Sequence, residues 1–477
     1  MPEASGPRAI VHLGWRANGD GFDTALAANR LRAAGARAWW LQRPAAGVEA
    51  GDYLVEVGRA QAEALARLGM SVAPWRAAIP DDAVALTRPA VRLFAGTASK
   101  FPYFAYYALC LLRLGIDYVP CDGADLVSGT LDHANLLILP GGFSTWGIDA
   151  AEDVSGADAR VRAFLAQGGA AIGSCGGAYY LSTGRPAWTG TAPAKPRYTH
   201  EYLQSGVGIV DVALAPGPLA FGCPPTMEVP YYHGPIYDLL GEGIEVVATF
   251  HALVLSGRLA IDNPLDGDAF DRDLRGKPAI LSAAGNRGHA VLFSPHPEMG
   301  DLVRKYIALD GYVRRYLPIR GYGTMRDTLR HYRVSDAPSF RLVGNAVDAL
   351  MAAAPAKEAA ENVRTESVEP DEDIPALLRR ALTELPVAGE GDEAALIRDV
   401  TAGIATRLDR IVERLASAAS DAPASLRPSR RHLALTMRAH WSESASRTLA
   451  QQLMEADLGV ALLECCARAA AFDQALK

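Results

Sequence analysis

Cysteine is scarce in this chain and irregularly placed. Across 477 residues it occurs only as Cys110, Cys121, Cys175, Cys223, Cys465 and Cys466, with no CxxC pair. That spacing excludes a disulfide framework and a zinc knuckle, and it fits a reducing cytoplasm in which a thiol stays free. No apolar run is long enough to span a bilayer. Met1 to Arg8 is polar, and Ala9 to Leu13 is too short for an export core, so no secretory leader is expected. The formal net charge of -7 is mild, and no basic stripe interleaved with aromatics appears. The cluster Arg427 to His432 reads as a solvated turn, so neither nucleic acid nor membrane is an expected partner. Gly14 to Gly21 lacks both GxGxxG and GxxxxGK spacing and is a turn, not a phosphate cradle. No further ligand cluster joins any histidine to close a coordination shell, so no metal or cofactor is expected.

What the chain does have is apolar residue enough for more than one core: 49% of the sequence, at a length that favours two or three domains. Strand and helix patterns alternate over residues 1–88, which reads as a small α/β domain. A second α/β run covers 89–317, with near-continuous apolar strands of the kind buried in parallel sheets. Between Gly184 and Lys277 it loosens into an antiparallel extension of the sheet. Leu302 to Leu317 reads as one amphipathic helix packed back on that sheet. Residues 318–356 are a helical extension, 357–373 a charged, proline-bearing linker, and 374–477 an alanine-rich α-helical domain. There Leu396, Val400, Ile404, Leu408, Ile411 and Leu415 recur at helical spacing. Such a stripe is more often the core face of a bundle than a dimer seam, although self-association or a protein partner through these helices stays open.

Two short runs carry the chemistry. Ala171 to Tyr180 leads an apolar approach through Gly173 to Cys175 and then into a helix. That is the pattern of a nucleophile elbow, a sharp strand-to-helix turn at the rim of a parallel sheet. A thiol placed there lies near the positive end of the following helix, which favours the thiolate. Far downstream, Ala290 to Glu298 ends a strand at His296, with a carboxylate two residues on. A thiol, an imidazole and a carboxylate to orient it are the parts of a covalent acyl-transfer site. Gly142 and Gly176 supply main-chain N–H groups on the same rim for a developing oxyanion. Tyr231, Tyr232 and His233 either border this pocket or pack at a strand end. Trp146, Asp149, Glu152 and Asp153 read as a solvated acidic loop in preference to a recognition loop for a polar or cationic substrate. His200 and Glu201 are weaker candidates.

Gly141-Gly142, Gly173-x-Cys175-x-Gly177 and Ser294-Pro295-His296-Pro297-Glu298 resemble the class I glutamine amidotransferase superfamily. The resemblance implies a flavodoxin-like parallel-sheet fold, with Cys175, His296 and Glu298 as triad and Gly142 with Gly176 as oxyanion hole. Cys175 to Tyr179, the Gly141-Gly142-Phe143 loop and Tyr231 to Pro235 look most like the biotin-protein-ligase N-terminal type of domain. Phe143, Tyr179, Tyr231, Tyr232 and His233 are then candidates for binding substrate. Glutamine-hydrolysing members usually carry glutamine where Tyr179 stands, and no ATP-dependent synthetase domain follows. The expected activity is therefore cysteine-dependent amide or acyl transfer on a small-molecule or peptide amide. The alternative is a non-catalytic binding or assembly module on the same fold.

Overall fold

The computed structural model describes residues 8–476, apart from 19–20, 45–46, 100–101, 145, 198–206, 255–264, 286–287, 308, 310–313, 331, 333, 335–336, 356–373, 386–389 and 418–447. His200, Glu201, the 357–373 linker and the 427–432 basic cluster lie outside the described residues.

Near the amino end, β1 (Ala9–Leu13), β2 (Ala38–Trp40), β3 (Tyr53–Val57), β4 (Ala73–Pro74) and β5 (Val84–Ala85) form a sheet in the order β4-β1-β3-β2-β5. Helices α1 (Phe22–Ala33) and α2 (Arg59–Arg67) accompany it. Strand and helix alternate as expected, yet every pairing is antiparallel. The reason is β3, which inserts between β1 and β2 and runs against both, so the crossover through α1 is a split βαβ unit.

The central sheet has nine strands. Its parallel half comprises β6 (Val91–Phe94), β7 (Tyr118–Cys121), β8 (Leu136–Leu139), β9 (Ala170–Ser174) and β16 (Gly288–Phe293), ordered β16-β9-β8-β6-β7. Intervening helices are α3 (Tyr103–Arg113), α4 (Gly123–Val127), α5 (Ile148–Glu152), α6 (Ala157–Ala166) and α7 (Gly176–Leu181). β10 (Ala194–Pro196) and β13 (Tyr237–Leu240) pair by themselves. The sheet continues antiparallel through β11 (Val207–Leu214), β12 (Thr226–Tyr232), β14 (Ile244–Leu253) and β15 (Pro278–Gly285), with α8 (Gly267–Asp273) between the last two. Successive strand residues face opposite sides. In β9, Ala171 joins the core under α4 to α7, while Ile172 joins the core under α3.

The remaining helices are α9 (Gly300–Ile307), α10 (Arg314–Arg330), α11 (Phe340–Ala353), α12 (Ile374–Thr383), α13 (Asp392–Ser417) and α14 (Leu449–Leu476). The single helix expected from Leu302 to Leu317 is thus two, and Pro318 lies inside α10, which kinks at Gly321 with φ 76°. In α13, Leu396, Ile404, Leu408 and Ile411 are buried, as a bundle face requires. The carboxy-terminal helices nevertheless do not close on themselves. Six consecutive residues of α14, Leu458 to Leu463, are all buried, and a helix apolar all round must be enclosed. It lies along α3 and touches α1, α2, α9, α12 and α13. One apolar core therefore runs from Leu13 and Leu26 through Leu109 and Val343 to Leu408 and Leu462.

Candidate active site

Cys175 sits at the junction of β9 and α7 with φ 49° and ψ -107°. A non-glycine residue held there stores roughly 1–3 kcal/mol of backbone strain, which the surroundings must impose. They do so from two sides. The Cys175 N–H donates to the Phe293 carbonyl of β16 at 2.9 Å. A Cβ at position 177 would come within 2.0 Å of the Leu139 carbonyl oxygen, so only glycine lets α7 start against β8. The thiol is 7% exposed and donates to the Tyr232 carbonyl at 3.0 Å. Gly234 permits that approach: its Cβ would fall 1.8 Å from the Ser294 carbonyl oxygen.

β16 ends at Phe293, and the His296 N–H then donates to the Pro230 carbonyl at 2.8 Å. Pro297 opens a one-turn 3-10 helix, Pro297–Met299, that folds Glu298 back onto the imidazole. His296 Nδ1 lies 2.7 Å from Glu298 Oε1, with both side chains fully buried. The other carboxylate oxygen accepts from Ser174 Oγ at 2.9 Å, and Ser174 Oγ lies 2.5 Å from the Tyr107 hydroxyl. Nδ1 being occupied, Nε2 is the nitrogen left for the thiol, and it has no hydrogen-bond partner among the described residues. Burial opposes the imidazolium. The Glu298 carboxylate and the adjacent Cys175 sulfur outweigh it, and His296 is pushed up to about 10.

Gly141 and Gly142 lie across the same rim. A Cβ on Gly141 would meet His296 Cε1 at 2.4 Å, and one on Gly142 would meet the Tyr103 ring at 2.5 Å. Gly176 abuts the Phe143 main chain, so the glycine loop and the start of α7 are in contact. As the first residue of a helix, Gly176 has an N–H with no intrahelical acceptor. The structure thus brings Cys175, His296, Glu298, Gly142 and Gly176 together.

The five substrate-binding candidates divide. Tyr232 edges the site, its ring 6.5 Å from the His296 ring and 6.2 Å from that of Tyr103. His233, with φ 54°, stands beside it. Tyr231 is instead fully buried, packed on Phe250 with its hydroxyl on the Gly234 carbonyl. Phe143 fills the core between Phe94 and Tyr180, and Tyr179 is buried against Trp188. Alternation along β12 explains Tyr231, and the inward face of the first turn of α7 explains Tyr179. Among the acidic-loop residues, Asp149 accepts main-chain N–H groups at Gly156 and Ala157, and Glu152 clamps Ala98 and Gly123. Both are structural clasps. Trp146 is exposed, under the Arg185 guanidinium. Sequence reasoning missed Ser174, Tyr103 and Tyr107. Period-two alternation already put Ser174 on the Ile172 side, facing the aromatic helix.

Residues 106–212 match the family model of the CobB/CobQ-like glutamine amidotransferase domain. The match begins in α3, includes the glycine loop and the elbow, and stops in β11, ahead of His296. Of solved structures, one titled glutamine amidotransferase is 21% identical, over 47% of this chain and 97% of its own, with a TM-score of 0.30. A glutamine amidotransferase from Thermotoga maritima is 14% identical, over 54% and 98%, with a TM-score of 0.33. No curated protein matches. The matched segment is class I glutamine amidotransferase-like. Among the described residues no helix is long and apolar enough to cross a membrane.

Proposed function

We propose that the central domain is a cysteine-dependent amidase or acyl transferase with Cys175 as nucleophile, His296 as base and Glu298 as its orienter. One observation carries this reading. A buried imidazole is held by a carboxylate on one nitrogen, while the thiol of a strained elbow interacts with the ring from the other side. Hydrogen bonds of such sites often align only when substrate is bound. His296 takes the thiol proton, and the sulfur attacks the amide carbon. The Gly142 and Gly176 N–H groups receive the oxyanion. The C–N bond breaks as His296 returns the proton to the leaving amine, leaving a thioester. Water or an acceptor amine, deprotonated by His296, attacks the thioester carbon. The C–S bond then breaks and the thiol is restored.

The elbow Cys175-Gly176-Gly177-Ala178-Tyr179 supports a closer kinship with the biotin-protein-ligase N-terminal type, beside the CobB/CobQ-like match. Glutamine is disfavoured as substrate because Tyr179 is turned into the core. The second reading, a non-catalytic module, draws on the thiol donating to the Tyr232 carbonyl. Iodoacetamide labelling separates the two. On the enzyme reading Cys175 alkylates well ahead of the other five cysteines, and Cys175→Ala removes that fast label while the protein stays folded. Labelling of Cys175 no faster than that of Cys223, the half-buried thiol, overturns the assignment.

A further inference from the structure

Glu298 has two oxygens, and the triad accounts for one. The second is held by Ser174, and the donor directions there are fixed by chemistry. A carboxylate only accepts, so Ser174 Oγ donates to Oε2 at 2.9 Å. Its lone pairs are then open to the Tyr107 hydroxyl at 2.5 Å. Tyr107 and Ser174 are both fully buried. Burial, and secondly the Glu298 charge, hold the Tyr107 phenol in its protonated, donating form.

We infer that Ser174 and Tyr107 are positioning residues of this site, a one-way chain of hydroxyl donors that fills Glu298 Oε2 and thereby aims Oε1 at His296 Nδ1. The inference rests on the triad reading above. Its geometry follows from the strand. Ser174 precedes the nucleophile and points to the opposite side of the sheet, under α3, where no substrate in the Cys175 cleft reaches it. It acts only through Glu298. The groups around the His296–Glu298 pair are Tyr103, Tyr106, Tyr107 and Cys110 from α3, Tyr232 from β12 and Cys175 from the elbow. None of these is a lysine or arginine. Hydroxyl donors are therefore what holds the carboxylate charge on the side away from the imidazole, and a donor into a buried carboxylate stabilises its charged form. Without them Glu298 rotates or loses strength as an acceptor, and the imidazolium loses support at the moment the thiol gives up its proton.

The test is the rate of Cys175 alkylation by iodoacetamide against pH in the full chain, read peptide by peptide by mass spectrometry. His296→Ala is measured first and shifts the inflection if the triad reading holds. Ser174→Ala should then raise the inflection by about one pH unit, roughly tenfold in rate below it. Tyr107→Phe should raise it by less, and Ser174→Thr, which keeps the hydroxyl, should restore it. The double variant Ser174→Ala/Tyr107→Phe leaves no orphan phenol, so it recovers packing while keeping the shift. A purely structural pair predicts lower melting temperatures with the inflection unmoved in the single and double variants, and that result overturns the inference alone. An unmoved inflection in His296→Ala overturns the triad and the inference with it.

Discussion

Glu298 and Asp457 are both buried carboxylates with both oxygens engaged, and they serve opposite ends. Asp457, on α14, accepts from Lys305 at 2.6 Å, Tyr306 at 2.8 Å and Arg407 at 2.6 Å. Burial alone would raise it, but Lys305 and Arg407 hold it below the ordinary carboxylate range. Its partners come from α9 and α13, so one residue fastens three helices with permanent cations. Glu298 has instead a titratable imidazole and a hydroxyl, and that imidazole also interacts with the Cys175 thiol. A network closed by lysine and arginine fixes structure, whereas one built on an imidazole keeps a group that can give and take a proton.

Removing the saturated carboxylate should have the largest effect. Asp457→Ala strands the half-buried Lys305 ammonium, leaves Arg407 only Glu464 as a carboxylate partner and should cost about 3 kcal/mol in denaturant unfolding, while the pH inflection of Cys175 alkylation stays where it was. If that inflection moves with Asp457, the two networks are not separate. Next comes the titratable pair. The folded-state pKa of His296 is raised to about 10, so its stabilising contribution is complete below the unfolded value of about 6.5 and is lost as pH rises through about 10. Wild-type stability should fall by more than about 1 kcal/mol across that window, the worth of one pKa unit. Glu298→Gln should flatten the slope; parallel stability curves for the two proteins would remove Glu298 as the cause. The smallest effect belongs to Tyr306→Phe, which deletes one of three donors to Asp457 and should cost about 1 kcal/mol or less. A larger loss would make the phenol, not the cations, the main fastening.

The central fold was legible because parallel strands write themselves as apolar runs, and the elbow because its glycines are demanded by main-chain contact. That Cys175 and His296 would meet on one rim was readable for the same reason, since each follows a strand that the pattern reveals, with Glu298 two residues beyond His296. Three features were not. The antiparallel pairing near the amino end depends on β3 inserting between two strands, which periodicity does not encode. The enclosure of α14 depends on contacts with helices hundreds of residues away. Phe143 and Tyr179 stand in the right motifs but turn inward, and an aromatic residue beside an elbow cysteine reads identically whether it lines the cleft or the core.

The position of α14 along α3 also sets an order of events during synthesis. Leu449 to Leu476 leaves the ribosome long after the elbow, and at a translation rate of about 5–20 residues per second the interval is roughly 15–60 s. Through that interval α3, with Tyr107 on it, has no cover on its outer face, and the nascent chain carries a thiol whose setting is still unfinished.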